Sequence, residues 1–203
     1  MYQIDLIPTL IFVFVTTYTP GSNNIVSGSM GVLYGFKRTF PFLLGIASGF
    51  FIIMLLSGWV SSILNQHLPN FAPIVRILGA GYILYLAYGV YKNVNKLNQS
   101  QETKPLRYHN GVLLQFLNPK AIYYGLTISS TFLNPLLDRR PLFIVAAAIL
   151  ALVSLSSVST WALGGNLIRR FLNTPQRLKV FGIILALALV YTALDLVGLF
   201  SLF

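Results

Sequence analysis

Crossing about 30 Å of hydrocarbon takes about 20 consecutive apolar residues, and this chain of 203 residues contains six such stretches. The first lies within Leu6 to Phe36, the second is Phe40 to Leu64, and the third is Phe71 to Tyr91. The fourth runs from Gly111 to Leu133, the fifth from Pro141 to Gly164, and the sixth from Val180 to Leu202. Apolar residues are continuous in them rather than alternating with polar ones, which excludes a transmembrane β-barrel. Charged residues make up only 9% of the chain, against roughly a quarter in soluble domains. Lipid must therefore be the solvent for much of the surface. The fold expected is an all-α integral membrane protein of six transmembrane helices, a single membrane domain over residues 1–203. The first segment lacks a basic leader and reads as part of that fold rather than a cleaved signal.

Loop charge sets the expected orientation. With the N-terminus outside, ten basic residues face the cytoplasm: Lys37, Arg38, Lys92, Lys96, Lys104, Arg107, Arg169, Arg170, Arg177 and Lys179. Only Arg76, Arg139 and Arg140 face out, and Lys120 falls within a span. This bias puts both termini outside the cytoplasm. It also accounts for the net charge of +10 without nucleic acid, because no basic stripe runs along a helix.

Asn93 to Arg107 is the only long polar connection and reads as a cytoplasmic linker between two halves, residues 1–92 and 108–203. Pro20 is matched by Pro119, Pro41 by Pro141 and Trp59 by Trp161, at offsets of 99, 100 and 102. Those offsets point to a duplicated three-helix unit. Three is odd, so the second copy enters the membrane inverted, an arrangement common among secondary transporters.

Two interruptions could carry chemistry. As one helix, Leu6 to Phe36 would reach about 46 Å, yet its middle is Thr19-Pro20-Gly21-Ser22-Asn23-Asn24. Pro20 removes a backbone donor and Gly21 loosens the chain. Irregular backbone at membrane depth is tolerated against protein or a wet cavity, so a broken first helix is expected. Asn23 and Asn24 would then open its second half, with free amides and a positive dipole end facing the cavity. The fourth segment repeats the device as Gln115-Phe116-Leu117-Asn118-Pro119-Lys120-Ala121. Burying Lys120 costs about 2.5–3.5 kcal/mol on insertion scales. It either answers a ligand carboxylate or snorkels to the interface. Each break, taken alone, could equally be a packing kink, and each Asn a bond between helices.

Asp195 is the only acid well within a span. It is either a proton carrier or counter-ion to Lys120, or a residue near the outer interface. Gly31 with Gly35, and Gly45 with Gly49, form GxxxG pairs that allow close crossing; such faces could also pair two copies as a homodimer. Tyr82, Tyr85, Tyr88, Tyr91, Tyr123 and Tyr124 read as belt or core residues. The chain has no cysteine, which removes disulfides, thiolate metal sites and a Cys nucleophile. His67 and His109 fall on opposite sides of the expected topology, and no HExxH or Walker sequence is present. No metal, cofactor or enzymatic reaction is expected.

Thr19 to Asn24 (TPGSNN), followed by Gly31 and Gly35-Phe36-Lys37-Arg38, resembles the first-helix signature of the LysE/RhtB amino-acid exporters. Leu44-Gly45 with Gly49 is similar to the family's second helix, and Phe116 to Ala121 (FLNPKA) to its fourth. Further stretches are most similar to the cysteine/O-acetylserine exporter branch: Gly49 to Leu56, Leu114 to Phe116, Tyr124 to Phe132, Trp161 to Leu167 and Leu185 to Ala193. Two departures stand out. Ser22 replaces the family's usual second proline, and Phe50 stands where many members carry an acid that could serve proton coupling.

The resemblance implies a secondary transporter of the bacterial inner membrane, exporting small neutral amino acids such as cysteine and O-acetylserine. Gly21, Asn23, Asn24, Gln115, Asn118 and Lys120 would bind substrate, and Pro20 and Pro119 would keep the helices broken. The alternatives are export of homoserine, threonine or basic amino acids, a passive channel, or a non-transporting scaffold. A channel would need a continuous polar lining.

Overall fold

A computed structural model describes residues 6–97, 104–171 and 174–197, and every regular element in it is helical. Helix α1 (Leu6–Tyr18) stops short of Thr19, since the residue before a proline is pushed out of the α region. Helix α2 (Ser22–Tyr34) starts from Gly21, which has extended backbone and gives no side-chain cap. It ends at Gly35, whose φ of 78° is a left-handed conformation that favours glycine. Helix α3 (Phe36–Leu97) follows without a break.

After the linker come α4 (Tyr108–Phe116) and α5 (Pro119–Thr127). Between them, Asn118 caps α5 by accepting a bond from the Lys120 amide at 3.0 Å, with Pro119 at the first helical position. A π-turn (Ile128–Phe132) and a 3-10 turn (Asn134–Leu136) lead to α6 (Arg140–Phe171). Helix α7 (Pro175–Leu196) closes the order, its first turn capped by the Thr174 hydroxyl.

Helical bonding in α3 runs through Leu64 and Phe71, where the second and third apolar segments are expected to separate. On a straight helix, Phe42 and Tyr82 would lie about 60 Å apart. Instead, Gly111 abuts the Phe42 carbonyl, and the Tyr82 hydroxyl donates to the Asn110 carbonyl at 3.3 Å. The chain therefore folds back on itself between Phe42 and Tyr82. Helix α3 continues to Leu97, and Leu106 packs on the core.

Among the described residues, two helical stretches are long and apolar enough to cross a membrane as they stand, Phe36–Trp59 and Arg140–Ile168. Large apolar side chains such as Leu10, Trp59, Leu152 and Leu187 cover the exterior, as lipid rather than water requires. Inside are two apolar clusters. One joins α2, both arms of α3, and α4, α6 and α7, around Phe42, Ile83 and Leu189. The other joins α1, the first arm of α3, α5 and α6, around Met54, Tyr124 and Ala147. Polar residues gather between these clusters, near the end of α1 and the start of α2 and between α4 and α5.

Candidate functional site

One cavity of about 50 Å³ occupies that position. Gly21, Asn23, Asn24, Gln115, Asn118 and Lys120 all line it, so residues far apart in sequence meet at one place. Asn23 is the link between the interruptions. Its amide donates to Gln115 Oε1 at 2.8 Å, and its Oδ1 accepts from the Asn118 amide at 3.0 Å. Gln115 is completely buried and donates onward to the Ile46 carbonyl at 3.1 Å, tying the network to α3.

Asn24 works on the other side of the break. Its amide donates to the Thr17 and Thr19 carbonyls at 3.0 and 2.9 Å. These belong to the carbonyls that α1 leaves without intrahelical partners at its end. Ser157 of α6 donates to the same Thr17 carbonyl at 3.0 Å, and Trp161 Nε1 to the Tyr18 carbonyl at 3.3 Å. Asn24 thus spends both donors on backbone.

Lys120 is exposed, and its ammonium donates to Thr19 Oγ1 at 3.0 Å. An ammonium carries three donors, so two remain for another partner. A Cβ on Gly21 would sit 3.5 Å from Lys120 Nζ, which shows how closely the lysine lies on the glycine backbone. The uncapped amides of the first turn of α2 are orphan donors beside it. Together these groups form a cationic corner suited to a carboxylate.

The remaining walls carry hydroxyls and rings. Thr16, Thr17, Ser154 and Ser157 offer oxygens, and Phe50 packs edge-on against Tyr124 with ring centroids 5.2 Å apart. No carboxylate is among the described lining residues. Pro20 sits in the non-helical link and Pro119 at the head of α5. Asp195 belongs to α7, but its side chain lies outside the described set. Ser157 and Trp161 have roles that sequence reasoning missed. The signal available was the hydroxyl run from Ser154 to Thr160 inside an otherwise apolar segment.

The LysE type translocator family matches residues 14–198. The chain is 34% identical over 191 residues to a cysteine/O-acetylserine efflux protein of Escherichia coli K12, covering 92% of this chain and 96% of that one. The protein of the same name from Shigella sonnei matches to the same extent. No solved structure matches the chain.

Proposed function

Because this chain belongs to the LysE type translocator family, a family of membrane translocators rather than enzymes, we propose that it exports small neutral amino acids from the cytoplasm, cysteine and O-acetylserine first among them. The observation that carries this reading is the cationic corner in a small cavity between two helix interruptions. A substrate carboxylate takes the free donors of Lys120 and the first-turn amides of α2. Its ammonium faces the hydroxyls of Thr16 and Ser154 and the rings of Phe50 and Tyr124, where cation–π attraction adds to hydrogen bonding. Asn23, Gln115 and Asn118 fix the corner, while Asn24 holds the end of α1 in place.

Size supports a small substrate. One water needs about 10–15 Å³ of such space, so the cavity holds about four waters, on the scale of a small amino acid. The names of the similar proteins from Escherichia coli and Shigella point to the same substrates.

The chain is read as six spans in two inverted halves, with both termini outside the inner membrane. Packing supports the repeat: α2 meets α6 at Gly28 and Trp161, and about a hundred positions away α5 and α3 meet at Gly125 and Ser57. On this topology the halves rock about the fixed site. The cytoplasmic side is closed by backbone contact of α2 with α6 and of α3 with α4, and α1 is the wall that moves. The small-residue faces of Gly31, Gly45 and Gly49 are used within the chain, which leaves them unavailable to pair a homodimer. The resident driving force is the proton gradient or the substrate's own gradient, with Phe50 in place of a coupling acid on α3.

Reconstituted liposomes test this directly. Saturable release of labelled O-acetylserine and cysteine is expected, and Lys120→Ala should abolish it while the variant still inserts. Release of threonine or lysine instead would move the chain to another branch. Linear, unsaturated flux would make it a channel, and no flux from folded protein would leave a scaffold.

A further inference from the structure

A second cavity, of about 250 Å³, lies between α2, the C-terminal arm of α3 and the chain just before α4. It shares no residue with the first. Val26, Met30 and Tyr34 recur every four residues on α2, so one face of that helix lines this cavity. Val26, Met30, Leu86 and Val90 are buried and apolar, and they form its floor.

The mouth is different. Lys92 and Lys104 line it and are both exposed, and Lys92 Nζ stands 5.7 Å from the ring centre of Tyr88. Tyr85 and Tyr88 beside them are also exposed. No acid lines the cavity among the described residues. From Tyr91 to Tyr108 the sequence carries Lys92, Lys96, Lys104 and Arg107 against Glu102 alone.

An apolar floor under a cationic, tyrosine-edged mouth does not suit a zwitterionic amino acid, whose charges would leave water for hydrocarbon walls. It suits an amphiphile with a single anionic phosphate. We propose that this cavity binds an anionic glycerophospholipid, with an acyl chain on the Val26, Met30 and Val90 floor and the phosphate between Lys92 and Lys104. Basic pockets between membrane helices hold such headgroups, and tyrosine rings settle at headgroup depth. The leaflet, cytoplasmic on the topology above, rests on the functional reading; the ligand chemistry does not. Since α2 carries Asn23 and Asn24 above the floor residues, the lipid would brace the helix that frames the transport site.

Native mass spectrometry of the purified full chain tests the proposal, counting retained phosphatidylglycerol and phosphatidylcholine. Wild-type protein should retain phosphatidylglycerol about ten-fold better, given the attraction of two lysines. The double variant Lys92→Gln, Lys104→Gln should lose that preference. Gly89→Leu adds bulk at the cavity wall, where a Cβ meets nothing within 4 Å, and it should reduce retention of both lipids. Glycerol phosphate, which has no acyl chain, should not compete. Equal retention of the two lipids by wild type, or an unchanged preference in the double variant, would overturn the proposal. So would competition by glycerol phosphate with no effect of Gly89→Leu, which would assign the lysines to free phosphate. Each variant's efflux is measured alongside, so a failure of the export reading shows in the wild type and is separable from a failure here.

Discussion

Helices α1 and α4 each lead into an interruption, yet they are held by different means. Along α4, the backbone itself is in contact with α3: a Cβ on Gly45 would fall 2.0 Å from the Tyr108 carbonyl oxygen, and one on Gly111 2.2 Å from that of Phe42. One face of α1 is open, with Leu10 64% and Phe14 62% exposed, while Val13 and Phe12 pack on the second cluster. Its polar ties to α6 sit at its last turn: Tyr18 to the Ser156 hydroxyl at 2.7 Å, with Ser157 and Trp161 on its end carbonyls. Between helices in lipid there is no hydrophobic drive, so close backbone approach and hydrogen bonds decide what is rigid. Glycine contacts admit one register, whereas hydroxyls and amides can exchange partners or water. Helix α4 is thus held by backbone contact, and the end of α1 by side-chain bonds.

The largest effect should come from breaking the clamp. Gly111→Val places carbon against backbone that no side-chain rotation can relieve, so we expect the upper end or more of the about 1–3 kcal/mol of overpacking and loss of monodisperse protein on size exclusion. Leu10→Val on α1 should stay within about 0.5 kcal/mol of wild type. Equal behaviour of the two variants would remove the distinction between the helices.

Next is Asn24→Ala. It withdraws the side-chain donor from the Thr19 carbonyl and one of two from that of Thr17, a loss of about 1–3 kcal/mol readable as a lower melting temperature. Ser157→Ala should cost less, about 0.5–1.5 kcal/mol, because Asn24 still serves Thr17. Its sharper readout is transport: if α1 moves in each cycle, loosening this tie should change the efflux rate by more than any change in substrate affinity, which is measured alongside because Ser157 lines the cavity. An unchanged rate would make α1 as static as α4.

The helix ends at Tyr18 and Phe116 have a local cause in the sequence, because Pro20-Gly21 and Asn118-Pro119 are poor helix formers inside apolar runs. Lys120 was legible as the one cation well inside such a run. The partners of the α1 carbonyls were not. Ser157 and Trp161 reach Thr17 and Tyr18 from 140 and 143 positions away, and hydropathy carries no trace of which hydroxyl in the Ser154–Thr160 run faces α1. Nor does the sequence tell that the Asn24 amide is committed to the Thr17 and Thr19 carbonyls. The course of α3 was hidden for another reason, since counting apolar residues locates where a chain can span and not where helical bonding stops.

The smallest effect discriminates most finely, because it sets two neighbouring glycines of α6 against each other. A Cβ on Gly164 meets nothing within 4 Å, whereas one on Gly165 would lie 2.2 Å from the Gly28 carbonyl oxygen. In an open helix interior, alanine is favoured over glycine by about 0.5–1 kcal/mol, so Gly164→Ala should raise the melting temperature slightly. Gly165→Ala gains the same propensity and must also push α2 away, and its melting temperature should fall. Opposite signs from adjacent positions cannot come from propensity or from general disturbance of α6. They would isolate backbone contact with α2 as what closes that side of the molecule, and like signs would put the closure elsewhere.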